Sequence, residues 1–220
     1  MVIRPSVRNA AGFSLVECLV TIAIIACALL LISPVVNQMR QQANTARCRN
    51  NLRQIGLAIL NYANEHNGML PGPVPSVQRS TVSRSTMGTP AALPDFLATY
   101  LGYSMPPPGN NASFTVEQFV CPASRDIITR ATGAARCYIN DSNPAPGVRL
   151  TPFGYSSTGV EPTPPMNLRS FENPGSFRAL NDDDRRKDSP VWVALKRPVH
   201  GDVRNVLYLD GSARSVDPNY

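Results

Sequence analysis

The chain is poor in the residues from which most catalytic motifs are built. Its 220 residues include two histidines and two lysines, and His66 and His200 stand too far apart for the paired-His motif of a zinc hydrolase. It has neither a Gly-rich phosphate cradle nor a Gly-x-Ser-x-Gly elbow, which removes the local signatures of nucleotide-binding enzymes and of α/β hydrolases. None of its five cysteines shows the spacing of a paired metal-binding motif. Strong one-sided charge is missing too. The formal net charge is +6, or +4 once Arg4 and Arg8 are set aside, with nineteen arginines carrying almost all of the positive charge. An excess this small and this dispersed demands no nucleic-acid partner and suits anionic lipid headgroups equally well. No stripe interleaves basic and aromatic residues. Charge is scarcest between Phe13 and Val36, where Glu17 is the one charged side chain.

That stretch is the dominant feature of what is present. A helix of its length extends roughly 36 Å, enough to cross a hydrocarbon core with some tilt. Ahead of it lie Arg4 and Arg8 and no acid; after it the chain turns polar and Arg-rich at Met39, Arg40 and Gln41. Glu17 needs a reason to be there, because a carboxylate in lipid costs several kcal/mol and usually has a partner or a function. A cut between Gly12 and Phe13 would leave a new α-amino group one helical turn before Glu17, and a neighbouring copy could offer its own amine to the carboxylate. An ordinary signal anchor, a cleaved secretory signal and a lipoprotein signal ending at Cys27 are the competing readings. A secretory apolar core should run about 7 to 15 residues without charge. Here Glu17 interrupts it, and the run continues past Cys27.

The short basic leader ending in Gly12, then Phe13, Glu17, an unbroken apolar helix and Pro34 resemble a type IV pilin or type II secretion pseudopilin. The resemblance implies that a prepilin peptidase of the inner membrane cuts after Gly12 and methylates Phe13. It also implies that Glu17 aids docking into a filament with other pilin or pseudopilin subunits. Pro34 would mark a hinge where the helix can locally melt on assembly; the alternative is a simple kink at the membrane surface. The segment Asn50-Asn51-Leu52-Arg53-Gln54-Ile55-Gly56 is similar to one found after the membrane helix in a large pseudopilin-like group abundant in planctomycetes. The C-terminal His200, nine intervening residues and Asp210-Gly211 match that group's signature.

Past Pro34 the pattern becomes amphipathic, with Cys48, Leu52, Ile55, Ile59 and Tyr62 on one face. Gly68 supplies a C-cap and Pro71 a stop, so the helix is expected from about Phe13 to His66. The implied organisation is a leader at 1–12, a membrane-spanning half-helix at 13–36, an amphipathic half at 37–67 and a β-rich head at 68–220. The fold class expected is α+β, a long N-terminal helix on a small antiparallel sheet. Gly56, in a helix interior, is explained by close approach of another element or by simple tolerance.

In the head, Gln78 to Thr89 has few apolar residues and reads as partly disordered. Ala91 to Tyr103 forms a short helix through Phe96, Leu97 and Leu101. Phe119 to Pro122 resembles the group's first strand edge. Short apolar runs at Tyr138-Ile139, Phe153 to Tyr155, Phe177 to Leu180 and Val191 to Val193 suggest strands, whereas the Pro-rich run Pro144 to Pro165 reads as a surface excursion. Val203 to Leu209 and Ser212 to Val216 form a hairpin with Asp210-Gly211 as a two-residue turn. Cys18 and Cys27 act as small apolar side chains in the membrane helix. Of the other three, Cys121 with Cys137 is the favoured disulfide, because both lie in the head.

His200, Asp210, Asp202 and Asp182-Asp183-Asp184 invite a metal or catalytic reading. Calcium is the ion that such oxygen ligands would take. Against it, Asp182 to Asp188 is nearly balanced by Arg185, Arg186 and Lys187 and reads as a solvated loop, and Asp210 is already used by its turn. No catalytic residue, metal or cofactor is assigned. His200 is expected to fix the start of the hairpin by a hydrogen bond. The function expected is a structural prepilin-like subunit in the inner membrane, with its head in the periplasm or outside the cell. A membrane-anchored module that binds DNA, polysaccharide or a secreted substrate is the alternative, followed by a tethered hydrolase.

Overall fold

A computed structural model describes residues 14–83, 91–107, 112–124, 138–140, 143–145, 148–157, 159–182 and 199–217, with the backbone alone at 31–34, 83, 143–145, 148–150 and 160. The chain divides into two compact units, Met1–Arg40 and Gln41–Tyr220. Helix α1, Leu15–Glu65, supplies the described part of the first and opens the second.

In the first unit every side chain from Ser14 to Leu30 is exposed. Leu15, Val16, Leu19, Val20, Ile22, Ile24, Ile25, Leu29 and Leu30 are among the exposed large apolar residues. A helix that is apolar all round has no stable place in water and belongs in lipid or among other helices. By length and composition it can cross a membrane.

The second unit has its own core. One face of α1 is lost from solvent through Cys48, Leu52, Ile55, Ala58 and Ile59, at the spacing of three and four residues that keeps side chains on one helical stripe. The helix ends where Asn67 and Gly68 take positive φ and the Gly68 N–H donates to the Ala63 carbonyl at 2.7 Å. Against this face lies a five-stranded antiparallel sheet. Its strands are β1 (Val77–Gln78), β4 (Tyr138–Ile139), β9 (Arg178–Asp182), β10 (Arg204–Tyr208) and β11 (Ala213–Val216), in the order β1-β4-β9-β10-β11. Tyr138, Ala179, Leu180, Leu207 and Ala213 join the helix residues in one apolar cluster, with Leu70, Val74, Leu93, Leu97, Phe119 and Phe153. The α+β, pilin-like layout expected from the pattern is the one observed.

Three local expectations are corrected, and a fourth, partial disorder over Gln78 to Thr89, is tested only as far as Ser83. The segment after β1 is ordered as far as it is described: β2 (Thr81–Ser83) pairs with β3 (Ser113–Thr115). Gln78, Ser80 and Val82 are buried there. A polar side chain can be buried when its hydrogen bonds are met, and Gln78 accepts from the Leu93 N–H at 2.8 Å, the first residue of helix α2 (Leu93–Leu97). Arg79 pairs with Asp95 on the same helix. Next, Phe119 to Pro122 is no strand: Glu117–Phe119 is a 3-10 turn, followed by irregular chain. The Pro-rich run does form strands, β5 (Asn143–Ala145) with β6 (Val148–Leu150) and β7 (Tyr155–Ser157) with β8 (Val160–Thr163). These are separate two-stranded ribbons outside the main sheet, where proline costs no central ladder bond.

The C-terminal hairpin has a three-residue loop, Leu209 to Gly211, rather than a two-residue turn. Leu207 pairs with Ala213, the Tyr208 N–H reaches the Ser212 carbonyl at 2.9 Å, and the Gly211 N–H returns to the Tyr208 carbonyl at 3.0 Å. Only Gly211 takes the left-handed conformation, at φ 80°, which is the three-residue arrangement closed by a Gly in a bulge. Leu209 is buried and its N–H donates to the Phe177 carbonyl, so the first loop residue is fixed by the core. Val191 to Val193 lie outside the described residues.

Candidate functional site

Two groupings bear on function, one in each unit. In the first, Glu17 sits in the opening turn of α1, where a carboxylate is favoured by the exposed N–H groups of the helix start. Its Oε2 accepts from the Ser14 backbone N–H at 2.9 Å, so the carboxylate faces the N-terminal end of the helix. Thr21 donates back to the Cys18 carbonyl at 2.9 Å, which satisfies its hydroxyl proton within the helix. Cys18 and Cys27 are free and exposed. Gly12 and Phe13 lie outside the described residues. Pro34 lies within α1, and its side chain is not described.

In the second unit the junction between helix and sheet is built around a disulfide and His200. Cys121 is bonded to Cys48, with the Cα atoms 5.2 Å apart. This corrects the expected pairing with Cys137, which lies outside the described residues. Cys48 was available because it belongs to the buried stripe of α1 and is fully removed from solvent. The loop carrying Cys121 is held to the same helix by Asn51, whose side-chain amide donates to the Val120 carbonyl at 3.1 Å.

His200, in the turn before β10, points into this junction. Its Nδ1 lies 3.2 Å from Thr45 Oγ1 on α1, and its Nε2 lies 3.4 Å from Cys121 Sγ and 3.4 Å from Asp182 Oδ2 on β9. The His200 and Asp182 side chains are 1% and 2% exposed, which makes this a dry cluster. Asp182 is therefore a sheet residue and no part of a solvated loop; its Oδ2 accepts from the Asn205 N–H at 2.8 Å. Asp183 and Asp184 lie outside the described residues, and Asp202 is exposed in the turn. The oxygen-ligand set suited to calcium is not what converges. Among the described residues the grouping with metal-ligand spacing is Cys48, Cys121 and His200.

Asp210 and Gly211 do other work. Asp210 Oδ1 accepts from the Ser212 N–H at 2.8 Å, closing the hairpin loop, and its Oδ2 lies 3.7 Å from Arg214 at the surface. His200 and Asp210 thus have no partner in common. Gly211 meets α1: a Cβ built on Gly56 would come within 2.7 Å of Leu207 Cδ1 and 3.0 Å of Gly211 Cα. Close approach, not tolerance, accounts for Gly56. The sequence reading missed Thr45, Cys48 and Asp182 as members of the His200 cluster. The signal for Cys48 was present, since a thiol on a buried stripe faces whatever that stripe packs against.

The layout is now defined: a pilin-like α+β arrangement with a long N-terminal apolar helix. More particularly, residues 7–33 match the prokaryotic N-terminal methylation motif. That match makes the N-terminus a prepilin-type signal and, with α1, points to a single-pass membrane anchor. No curated protein and no solved structure matches the chain.

Proposed function

We propose that the protein is a structural prepilin-like subunit. It is cleaved after Gly12, methylated on Phe13 and assembled through α1 into a type IV pilus or type II secretion pseudopilus. The observation that carries this reading is the coincidence of the methylation motif over residues 7–33 with Glu17, the one charged side chain among the exposed apolar residues 14–30. The prepilin peptidase and other pilin or pseudopilin subunits are the partners, and no specific nucleic acid is needed. The chain sits in the inner membrane by residues 13–36, with the head from residue 68 in the periplasm or outside the cell. In assembly Glu17 exchanges its bond to the Ser14 N–H for the Phe13 amine of a neighbour, and Pro34 is the hinge of the helix. His200, Asp210 and Gly211 are read as the signature of the pseudopilin-like group named above.

The test is the mass and N-terminal sequence of protein taken from its own membranes. A chain beginning at N-methylated Phe13 is expected, and one beginning at Met1 or at lipidated Cys27 overturns the reading. Gly12→Leu should retain the leader. Glu17→Ala should be cleaved normally yet fail to enter filaments, so normal assembly of that variant would remove the amine pairing.

A further inference from the structure

The His200 cluster carries an inference independent of assembly. Three side chains from three separate segments converge there, Cys48 from α1, Cys121 from the loop after the 3-10 turn and His200 from the turn before β10, and Asp182 of β9 approaches from the His200 side. A tetrahedral zinc ion with Zn–S near 2.3 Å and Zn–N near 2.0–2.1 Å needs ligand atoms about 3.3–3.8 Å apart. The two edges that His200 Nε2 makes, to Cys121 Sγ and to Asp182 Oδ2, are each 3.4 Å. The atoms Cys48 Sγ, Cys121 Sγ and a His200 ring nitrogen lie within 4.8 Å of one another, and the Asp182 carboxylate, outside that group, has to swing toward the sulfurs to become the fourth ligand.

The hydrogen bonding around the ring points the same way. Thr45 gives its hydroxyl proton to the Gln41 carbonyl at 2.9 Å, so its oxygen is left to accept from His200 Nδ1–H. In the neutral ring this leaves the Nε2 lone pair facing a sulfur and a carboxylate oxygen. Asp182 Oδ1 is also buried and, among the described residues, has no partner. Electron-rich atoms gathered in a dry site are what a cation resolves.

We propose that Cys48, Cys121, His200 and Asp182 hold one zinc ion in the dithiol form of the protein, so that metal and disulfide are alternative closures of the same junction. A dithiol reductant gives two electrons and two protons to the S–S bond and itself becomes a disulfide; turning the two freed cysteine side chains and the Asp182 carboxylate toward His200 then completes the tetrahedron. Zinc enters as the two thiols give up their protons. Oxidation by a protein or small-molecule disulfide reverses this. The two thiolates form the S–S bond, two electrons pass to the oxidant, its disulfide becomes two thiols by taking up two protons, and the ion leaves. Thr45 is the positioning residue that fixes the ring.

The experiment uses the full chain in detergent, reduced with a phosphine, freed of reductant and chelator, and titrated anaerobically with Co(II) and then Zn(II). One equivalent of cobalt should bind, with the strong visible bands of a tetrahedral site and a sulfur-to-cobalt charge-transfer band, and zinc should displace it. The oxidised chain should bind neither ion at this site. His200→Ala should lose the tetrahedral spectrum, and Thr45→Val should weaken affinity by about 10- to 100-fold. Because removal of His200 can also loosen the fold, His200→Cys is the second variant: it should restore binding with a stronger charge-transfer band. Failure of the reduced wild-type chain to take up either ion, or a cobalt spectrum unchanged in His200→Ala, overturns the proposal.

Discussion

Gly56 shows how a single missing side chain sets the distance between helix and sheet. Its neighbours across the gap are the Leu207 side chain and the Gly211 backbone, and backbone cannot step aside. Gly56→Val should therefore lose about 1–3 kcal/mol through overpacking, more than the modest gain from better helix propensity, as read by chemical denaturation of the oxidised chain. A different residue reports on the far end of α1. Tyr100 donates to Glu65, and that bond, followed by desolvation and the carboxylate charge, pushes its phenol up from 10 to about 12. A raised value means the contact stabilises fully below pH 10 and is lost as pH climbs through 12. Phenolate absorbance should show a tyrosine titrating near 12 that returns toward 10 in Glu65→Gln. Residue types were legible at this scale where spacing fixed them, as for Leu52 and Ile55. Asp182 was not, because the charges that follow it in sequence balance one another and hide that one acid turns into a strand.

At the scale of elements, the disulfide decides how α1 is tied to the head. A peptide map without reduction should recover Cys48 linked to Cys121. With the metal chelated, Cys48→Ser should cost about 2–5 kcal/mol of stability, read as a lowered denaturation midpoint. The stripe of α1, helix α2 and the strands at Tyr138 and Arg178–Asp182 were readable, because apolar period and flanking Gly or Pro are local signals. The pairing was not, since counting thiols by compartment says nothing about which strand faces which helix turn. The hairpin loop was misread by one residue for a similar reason. Asp-Gly looks like a two-residue turn in isolation, but Leu209 is drawn into the core and joins the loop, and Tyr208 meets Ser212 across it.

For the whole molecule, the apolar cluster begins at Cys48 and ends at Ala213, and among the described residues none of the first unit belongs to it. A fragment beginning at Gln41 should fold alone in water, with a cooperative thermal transition and the same disulfide. A fragment that stays unfolded would mean that the head depends on the anchor. The layout was legible because the change from an all-apolar to a one-faced helix is written in the sequence. The edge of the main sheet was not, because β1 is two residues long and is defined only by its pairing with β4.

The bond between Cys48 and Cys121 also has a mechanical consequence. The two residues are 73 apart in sequence, and a stretch of that length would pull out to roughly 250 Å of contour. With the bond closed, tension applied between the start of the helix and the chain's far end bypasses everything between these cysteines. Strands β1 to β3, helix α2 and the Gln78 and Arg79 contacts stay slack while the load runs from the helix into the Cys121 loop. Pulled at its ends, the oxidised head should give way first in the chain beyond Cys121, and the hidden length should appear only once the sulfurs part.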